Sequence, residues 1–312
     1  MPAIVAVLAF GWQPSAPREA ATASERHARK AAAIANMNAG EHEAAQAEFH
    51  RMISNPQSPL DAVDGRRMMA MSLRMLDEAH AADVMLTEAI KALDTVAEDA
   101  TTVSLMRGTI LMDQADLAAF SLDEPARAIA LYDTAVAIGL SDRDALIAMR
   151  NAAILAAKIG KYSDACRRVD LILASPVAAS LPAAERIGLR YSQAAWHVSN
   201  GDLGRAELSY RAIWDGRAGN DFAEVAMAGA QCISWMPPQT HCKELSAMAT
   251  DLFAFVDRLR TSASRDTADR ALINAAEAQA ARRVIDAADC ADATLNSIAR
   301  SRLNEAAQPA AQ

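Results

Sequence analysis

Aromatic side chains are scarce in this chain: Phe, Tyr and Trp together make up 4% of its 312 residues. That scarcity excludes a β-sandwich or barrel, since the apolar residues are instead dominated by Ala, with Leu, Ile and Met behind it, which favours helices. Glycine and proline are few, 12 and 11, which argues against Gly-rich nucleotide-binding turns and against a low-complexity chain. Lysine is nearly absent, five of 31 basic residues, and the net charge is −8. No block of basic residues forms the electrostatic footprint that a phosphate backbone requires, so nucleic acid is excluded as a partner. Long apolar runs are missing too. The longest, 2–11, falls far short of the roughly 18 to 20 residues that cross a bilayer.

Motifs for chemistry are also lacking. The four cysteines, at 166, 232, 242 and 290, form no C-x-x-C, which removes redox and zinc-ribbon readings. His42-Glu43-Ala44-Ala45-Gln46 comes within one residue of the H-E-x-x-H zinc helix, but Gln stands where the second His ligand belongs. Gly160-Lys161-Tyr162 lacks the upstream Gly and the Ser or Thr of a phosphate-cradling loop, and no G-x-S-x-G occurs. The sequence therefore assigns no catalytic, cofactor-binding or metal-ligating residue, and no cofactor.

What is present is helical periodicity in nearly every segment, broken at Asn55-Pro56, Ser58-Pro59, Gly139, Ser175-Pro176, Pro182, 216–220 and Pro237-Pro238. One pattern recurs within it. A Gly or Asp turn residue is followed five positions later by Ala, then by a large residue four later and an apolar one three beyond. The five copies are Gly40, Ala45, Phe49, Met52; Asp77, Ala82, Leu86, Ala89; Asp123, Ala128, Tyr132, Ala135; Gly160, Ala165, Val169, Ile172; and Gly201, Ala206, Tyr210, Ile213. The alanines are 37, 46, 37 and 41 residues apart. Two helices cross at close range only where a small side chain lets their backbones approach, and the large residue a turn later fills the space beside that crossing.

This pattern resembles the second helix of the tetratricopeptide repeat (TPR), with its A-x3-F and following Pro; Pro56 and Pro176 each stand eleven residues after their Ala. The first helix departs from the family, with Ala33, Ala70 and Ala153 among the residues in place of its large signature side chains. The resemblance implies an all-α fold, a right-handed superhelix (solenoid) of antiparallel helix hairpins over 25–216. A further hairpin and capping helices follow over 217–305, read as 221–235, 242–260, 265–289 and 291–305. The tail 306–312 is expected to be disordered. A non-repeating helical bundle is the alternative architecture.

A TPR-like solenoid implies a non-enzymatic scaffold that holds a protein or peptide partner in its concave groove, with a bacterial cell-envelope assembly as one expected setting; a helical-repeat enzyme is the alternative. In that family the first helix of each hairpin lines the groove, which turns Lys30, Arg67, Arg74, Arg150, Asn151 and Lys158 towards the partner. Asp64 and Asp113 are the acids on that side, and Ile34, Met71, Met75 and Ile154 supply apolar contact. A partner that is acidic or ends in a carboxylate is expected; the plainer reading is that these long side chains only snorkel into water. Met68, Met69, Met71, Met75 and Met85, and Trp196, Trp214 and Trp235, read first as core packing and second as adaptable or aromatic ligand surface.

Residues Ile4–Phe10 have the length of a signal-peptide apolar region, and Ala21-Thr22-Ala23 offers a cleavage pattern, but the basic residues that should precede them are missing. Within 1–24 the two readings are thus a signal peptide, giving a periplasmic or secreted protein, and an N-terminal helix of a cytoplasmic one. If the chain is exported, Cys232 and Cys242 are expected to pair across the Pro237-Pro238 turn.

Overall fold

The computed structural model describes residues 23–261, 267–287 and 289–306. The apolar segment Ile4–Phe10, most of the 21–23 cleavage pattern and the tail beyond Ala306 lie outside them. Among the described residues there are fourteen α-helices, one short 3-10 segment and no strand. They fall into two compact units that meet in sequence between Asp99 and Ala100.

The first unit holds α1 (Ala23–Asn38), α2 (His42–Ser54), α3 (Pro59–Met75) and α4 (Ala79–Leu93). The second holds α5 (Ala100–Phe120), α6 (Pro125–Ile138), α7 (Asp142–Lys158), α8 (Tyr162–Ala174), the 3-10 segment Pro176–Ser180, α9 (Ala183–Ser199), α10 (Leu203–Asp215), α11 (Ala223–Trp235), α12 (Pro238–Thr261), α13 (Thr267–Asp286) and α14 (Ala293–Ala306). Within each unit successive helices pack on one another in chain order, and α13 also returns against α11. This is an all-α stack of helix hairpins rather than a non-repeating bundle.

The recurring sequence pattern builds five hairpins with the same local chemistry. Gly40, Asp77, Asp123, Gly160 and Gly201 all have positive φ, between 51° and 85°. That left-handed turn ends one helix and lets the next residue start another. The backbone N–H groups of Glu41, Glu78, Lys161 and Asp202 reach back to the carbonyls of Asn36, Leu73, Ala156 and His197 at 2.8–2.9 Å, closing the preceding helix. The carbonyls of Glu41, Glu78, Glu124, Lys161 and Asp202 then accept the N–H of Ala45, Ala82, Ala128, Ala165 and Ala206 at 3.0–3.2 Å. Each Ala therefore completes the first turn of the second helix. All five are at most 1% exposed, and the large residue one turn on, Phe49, Leu86, Tyr132, Val169 or Tyr210, is buried with it.

Two of the five turns are made by Asp, which carries a Cβ into a backbone region that suits Gly. Asp77→Gly is expected to raise stability by about 0.5–1 kcal/mol, and Gly160→Ala to lower it by about 1 kcal/mol. Paired denaturant titrations check the opposite signs.

The longest interval between repeat alanines, from Ala82 to Ala128, contains the division between the units. Its extra residues lie in the connection 94–99 and in a 21-residue first helix, α5.

The largest apolar cluster lies in α9 to α14. Gly229 of α11 lets that helix approach the Trp214 ring, which packs edge-on against Phe255 at 5.7 Å between centroids, with Arg217 over its face at 4.5 Å. Beside this cluster Glu277 of α13 is fully buried. Its Oε1 accepts from Arg260 Nη1 of α12 at 3.0 Å and lies 3.2 Å from Arg302 Nη1 of α14, while Arg302 Nη2 donates to Asp257 Oδ2 at 2.7 Å.

Candidate interaction surface

The six groove residues expected from the sequence divide equally between the two units, so each group is described by itself. In the first unit Lys30 of α1 is ion-paired with Asp64 of α3, its expected neighbour. Arg67 is half-buried on α3 and Arg74 is exposed in the last turn of that helix. A cavity of about 190 Å³ beside Lys30 is lined by Arg26, His27, Glu48, Arg51, Asp61 and Asp64 among others. Its charges are largely matched within the protein. Arg51 Nε donates to Glu48 at 2.8 Å and holds that carboxyl below its ordinary range. Asp61 accepts from the Ser58 N–H in a capping box that starts α3.

In the second unit Asn151 is drawn into the packing, its amide donating to Tyr132 Oη at 3.3 Å, while the Tyr132 hydroxyl donates to Asp116. Burial first and the Asp116 carboxylate second push the Tyr132 phenol above its ordinary range. The hydroxyl thereby joins α5, α6 and α7. Lys158 Nζ meets Asp123 Oδ1 at 2.9 Å with both side chains exposed, a contact worth little in water. Arg150 is exposed and lines a cavity of about 430 Å³ with Arg143, Leu146, Ile147, Val177, Leu181, Glu185 and Leu189 among others.

Sequence reasoning missed Arg143 and the cavity wall made by the 3-10 segment. Arg143 stands seven residues before Arg150, two helical turns on one helix, a spacing that marks a shared face. Arg168 was missed as well, and its role is in packing. It is 8% exposed and crosses from α8 to α6, where Nη2 donates to Asp133 Oδ2 at 2.9 Å, while Nε donates to Asp164 at 2.9 Å. Those bonds, Asp133 first, raise its pKa further.

The cysteine expectation needs correction. Cys242 is joined to Cys290, not to Cys232. Cys232 lies on the core side of α11 at 2% exposure, and burial pushes its thiol up to about 12. The helical path breaks at His241, and Cys242 beyond it meets the α13–α14 turn, where Ser246 Oγ donates to the Cys290 carbonyl at 2.6 Å. Peptide mapping of unreduced protein is expected to recover a Cys242–Cys290 crosslinked pair; a Cys232–Cys242 pair would contradict the burial of Cys232 on the core side of α11.

The remaining motifs resolve into packing. His42 Nδ1 and Gln46 Nε2 lie 3.2 and 3.1 Å from the buried Ser72 Oγ, and among the described residues no three His, Cys, Asp or Glu gather as a metal site. Trp214 is in the core, Trp235 packs edge-on to Tyr210 at 5.6 Å, and Trp196 packs against the Leu146–Leu189 cluster. Met68 is buried and Met69 and Met71 pack beside it, while Met75 is 52% exposed. No described helix is long and apolar enough to cross a membrane.

No family model matches the sequence. No curated protein matches it either. Solved structures do resemble it in fold. The C-terminal part of a TPR repeat-containing protein from Cytophaga hutchinsonii is similar with a TM-score of 0.58 at 12% identity, over 89% of this chain and 95% of that one. The apo form of RapI is similar with a TM-score of 0.51 at 11% identity, over 90% of this chain and 97% of that one. Together with the five equivalent hairpin turns, these likenesses make the chain, by fold, a TPR-like helical repeat protein.

Proposed function

We propose that this chain is a non-enzymatic scaffold that holds a protein or peptide partner which is acidic or ends in a carboxylate. The observation that carries the reading is one face of α7. Arg143, Ile147, Arg150, Ile154 and Lys158 recur at intervals of four, three, four and four residues, so they share that face. Ile154 is 51% exposed, and Arg143 and Arg150 are exposed at the rim of the 430 Å³ cavity. Apolar side chains alternating with guanidinium groups favour a segment that offers both aliphatic contact and negative charge. A basic stripe on a protein of net charge −8 also concentrates the attractive field at that face.

The reading extends to export. A disulfide between Cys242 and Cys290 supports maturation in an oxidising compartment, periplasmic or secreted, and a role in a cell-envelope assembly would fit that location.

The test is co-precipitation from the native host with quantitative mass spectrometry, comparing wild type with Arg143→Glu, Arg150→Glu. Partners that depend on this face should be depleted at least about tenfold, and recovery from wild type should fall as salt rises. Equal recovery by both proteins at every salt concentration would remove the α7 face from recognition.

A further inference from the structure

The second unit carries another opening, separate from the α7 face, where α8 and α10 both pack on α9 and leave part of α9 uncovered between them. Two cavities adjoin there, of about 440 and 200 Å³, and both are lined by Arg190 and Ala212. The larger is walled by Leu173 and Ala174 of α8 and by Leu208 of α10, with Asp170 and Gln193 at its polar side.

Two features single it out. The first is exposed aliphatic surface: Leu208 is 70% exposed and Leu171, one turn from Ala174, is 51% exposed. Leu208 lines the larger cavity, while Leu171 lies outside its lining on the same helix as Ala174; leucines so far into water are side chains whose burial a partner would complete. The second is charge. Arg190 is exposed between the two cavities and has no ion pair among the described residues, whereas the Asp170 carboxylate opposite accepts from Gln193 Nε2 at 2.6 Å. Asp170 keeps its charge, but Arg186 lines the smaller cavity as well, so the two cavities together set two guanidinium groups against one carboxylate and keep a net positive charge beside aliphatic walls.

We infer that the α8–α10 recess is a second docking surface, for a protein segment that sets aliphatic side chains beside a carboxylate. The aliphatic groups cover Leu208 and Leu171 and enter the recess, and the carboxylate meets Arg190. This inference rests on the reading of the chain as an interaction scaffold, and it places a partner on a surface other than the α7 face.

Panning random dodecapeptides displayed on phage against the full chain supplies the probes. Recovered peptides are then measured by fluorescence anisotropy on wild type, Leu208→Asp, Arg190→Glu, and the α7 variant Arg143→Glu, Arg150→Glu. Since Leu208 and Arg190 are exposed, their substitution leaves the fold in place, which circular dichroism verifies. The expected result is a peptide class with Leu, Ile or Val close to Asp or Glu. Its affinity should fall at least about tenfold on Leu208→Asp and on Arg190→Glu and stay unchanged on the α7 variant. Peptides that depend only on Arg143 and Arg150 would overturn this surface while leaving the scaffold reading intact. Recovery of no peptide that depends on Leu208 and Arg190 would overturn it as well. So would light scattering that shows a wild-type dimer reduced to a monomer by Leu208→Asp, because the occupant would then be a second copy of the chain.

Discussion

Glu277→Ala is expected to destabilise the second unit by about 3–5 kcal/mol, because it leaves two guanidinium groups facing a site from which their shared carboxylate has gone. Glu277 is 0% exposed, and Arg260 of α12 and Arg302 of α14 both reach it. Glu277→Gln keeps one acceptor oxygen and should cost less, about 1–3 kcal/mol. The triple variant Arg260→Met, Glu277→Leu, Arg302→Met should recover most of the loss, since an apolar trio of similar length leaves no buried charge stranded, and Asp257, which loses Arg302, is exposed to water. Urea titration followed by circular dichroism measures all three. A loss below about 1 kcal/mol for Glu277→Ala would mean that water reaches the arginines and that the carboxylate is dispensable.

The second large effect is expected at Gly229. A Cβ there would stand 2.6 Å from Trp214 Cε3 and 2.8 Å from Cζ3. The ring has little room to yield, held between Phe255 at its edge and Arg217 over its face. Gly229→Ala should therefore cost about 3 kcal/mol, at the upper end of overpacking in a filled core. Trp214→Leu alone should also destabilise, by leaving space. Combined, the two should cost less than their sum by about 1 kcal/mol or more, because the smaller side chain admits the new methyl. Additive losses would show that the close approach of α11 to Trp214 does not control stability.

The hairpins were legible in the sequence because each depends on requirements local to a dozen residues. Gly or Asp at positions 40, 77, 123, 160 and 201 serves a left-handed turn, and Ala five residues later serves a close helix crossing. The unit boundary left a trace as well, in the 46-residue interval from Ala82 to Ala128, which stands out against 37, 37 and 41. Contacts between hairpins left none. Cys242 reaches Cys290 across 48 residues and Arg168 reaches Asp133 across 35, and both depend on the phase in which separate helices meet. A loop one residue longer or a break such as that at His241 rotates such side chains onto different neighbours. The same reason explains the expected groove residues. Arg150 stands beside an open cavity, but helical spacing carried no sign of that cavity, of the bond from Asn151 to Tyr132 or of Arg143 at the rim.

The two unbridged cysteines give the protein built-in reporters of its own breathing. Cys166 belongs to α8 and Cys232 to α11, both are buried, and burial raises their thiols to about 11 and about 12. At neutral pH neither offers a thiolate to an alkylating reagent until its surroundings open. Because a hairpin stack is held mainly by contacts between neighbours, separate hairpins are free to open at separate rates. The relative labelling rates of Cys166 and Cys232 thus measure how far an opening in one hairpin spreads along the second unit, with no probe added to the chain.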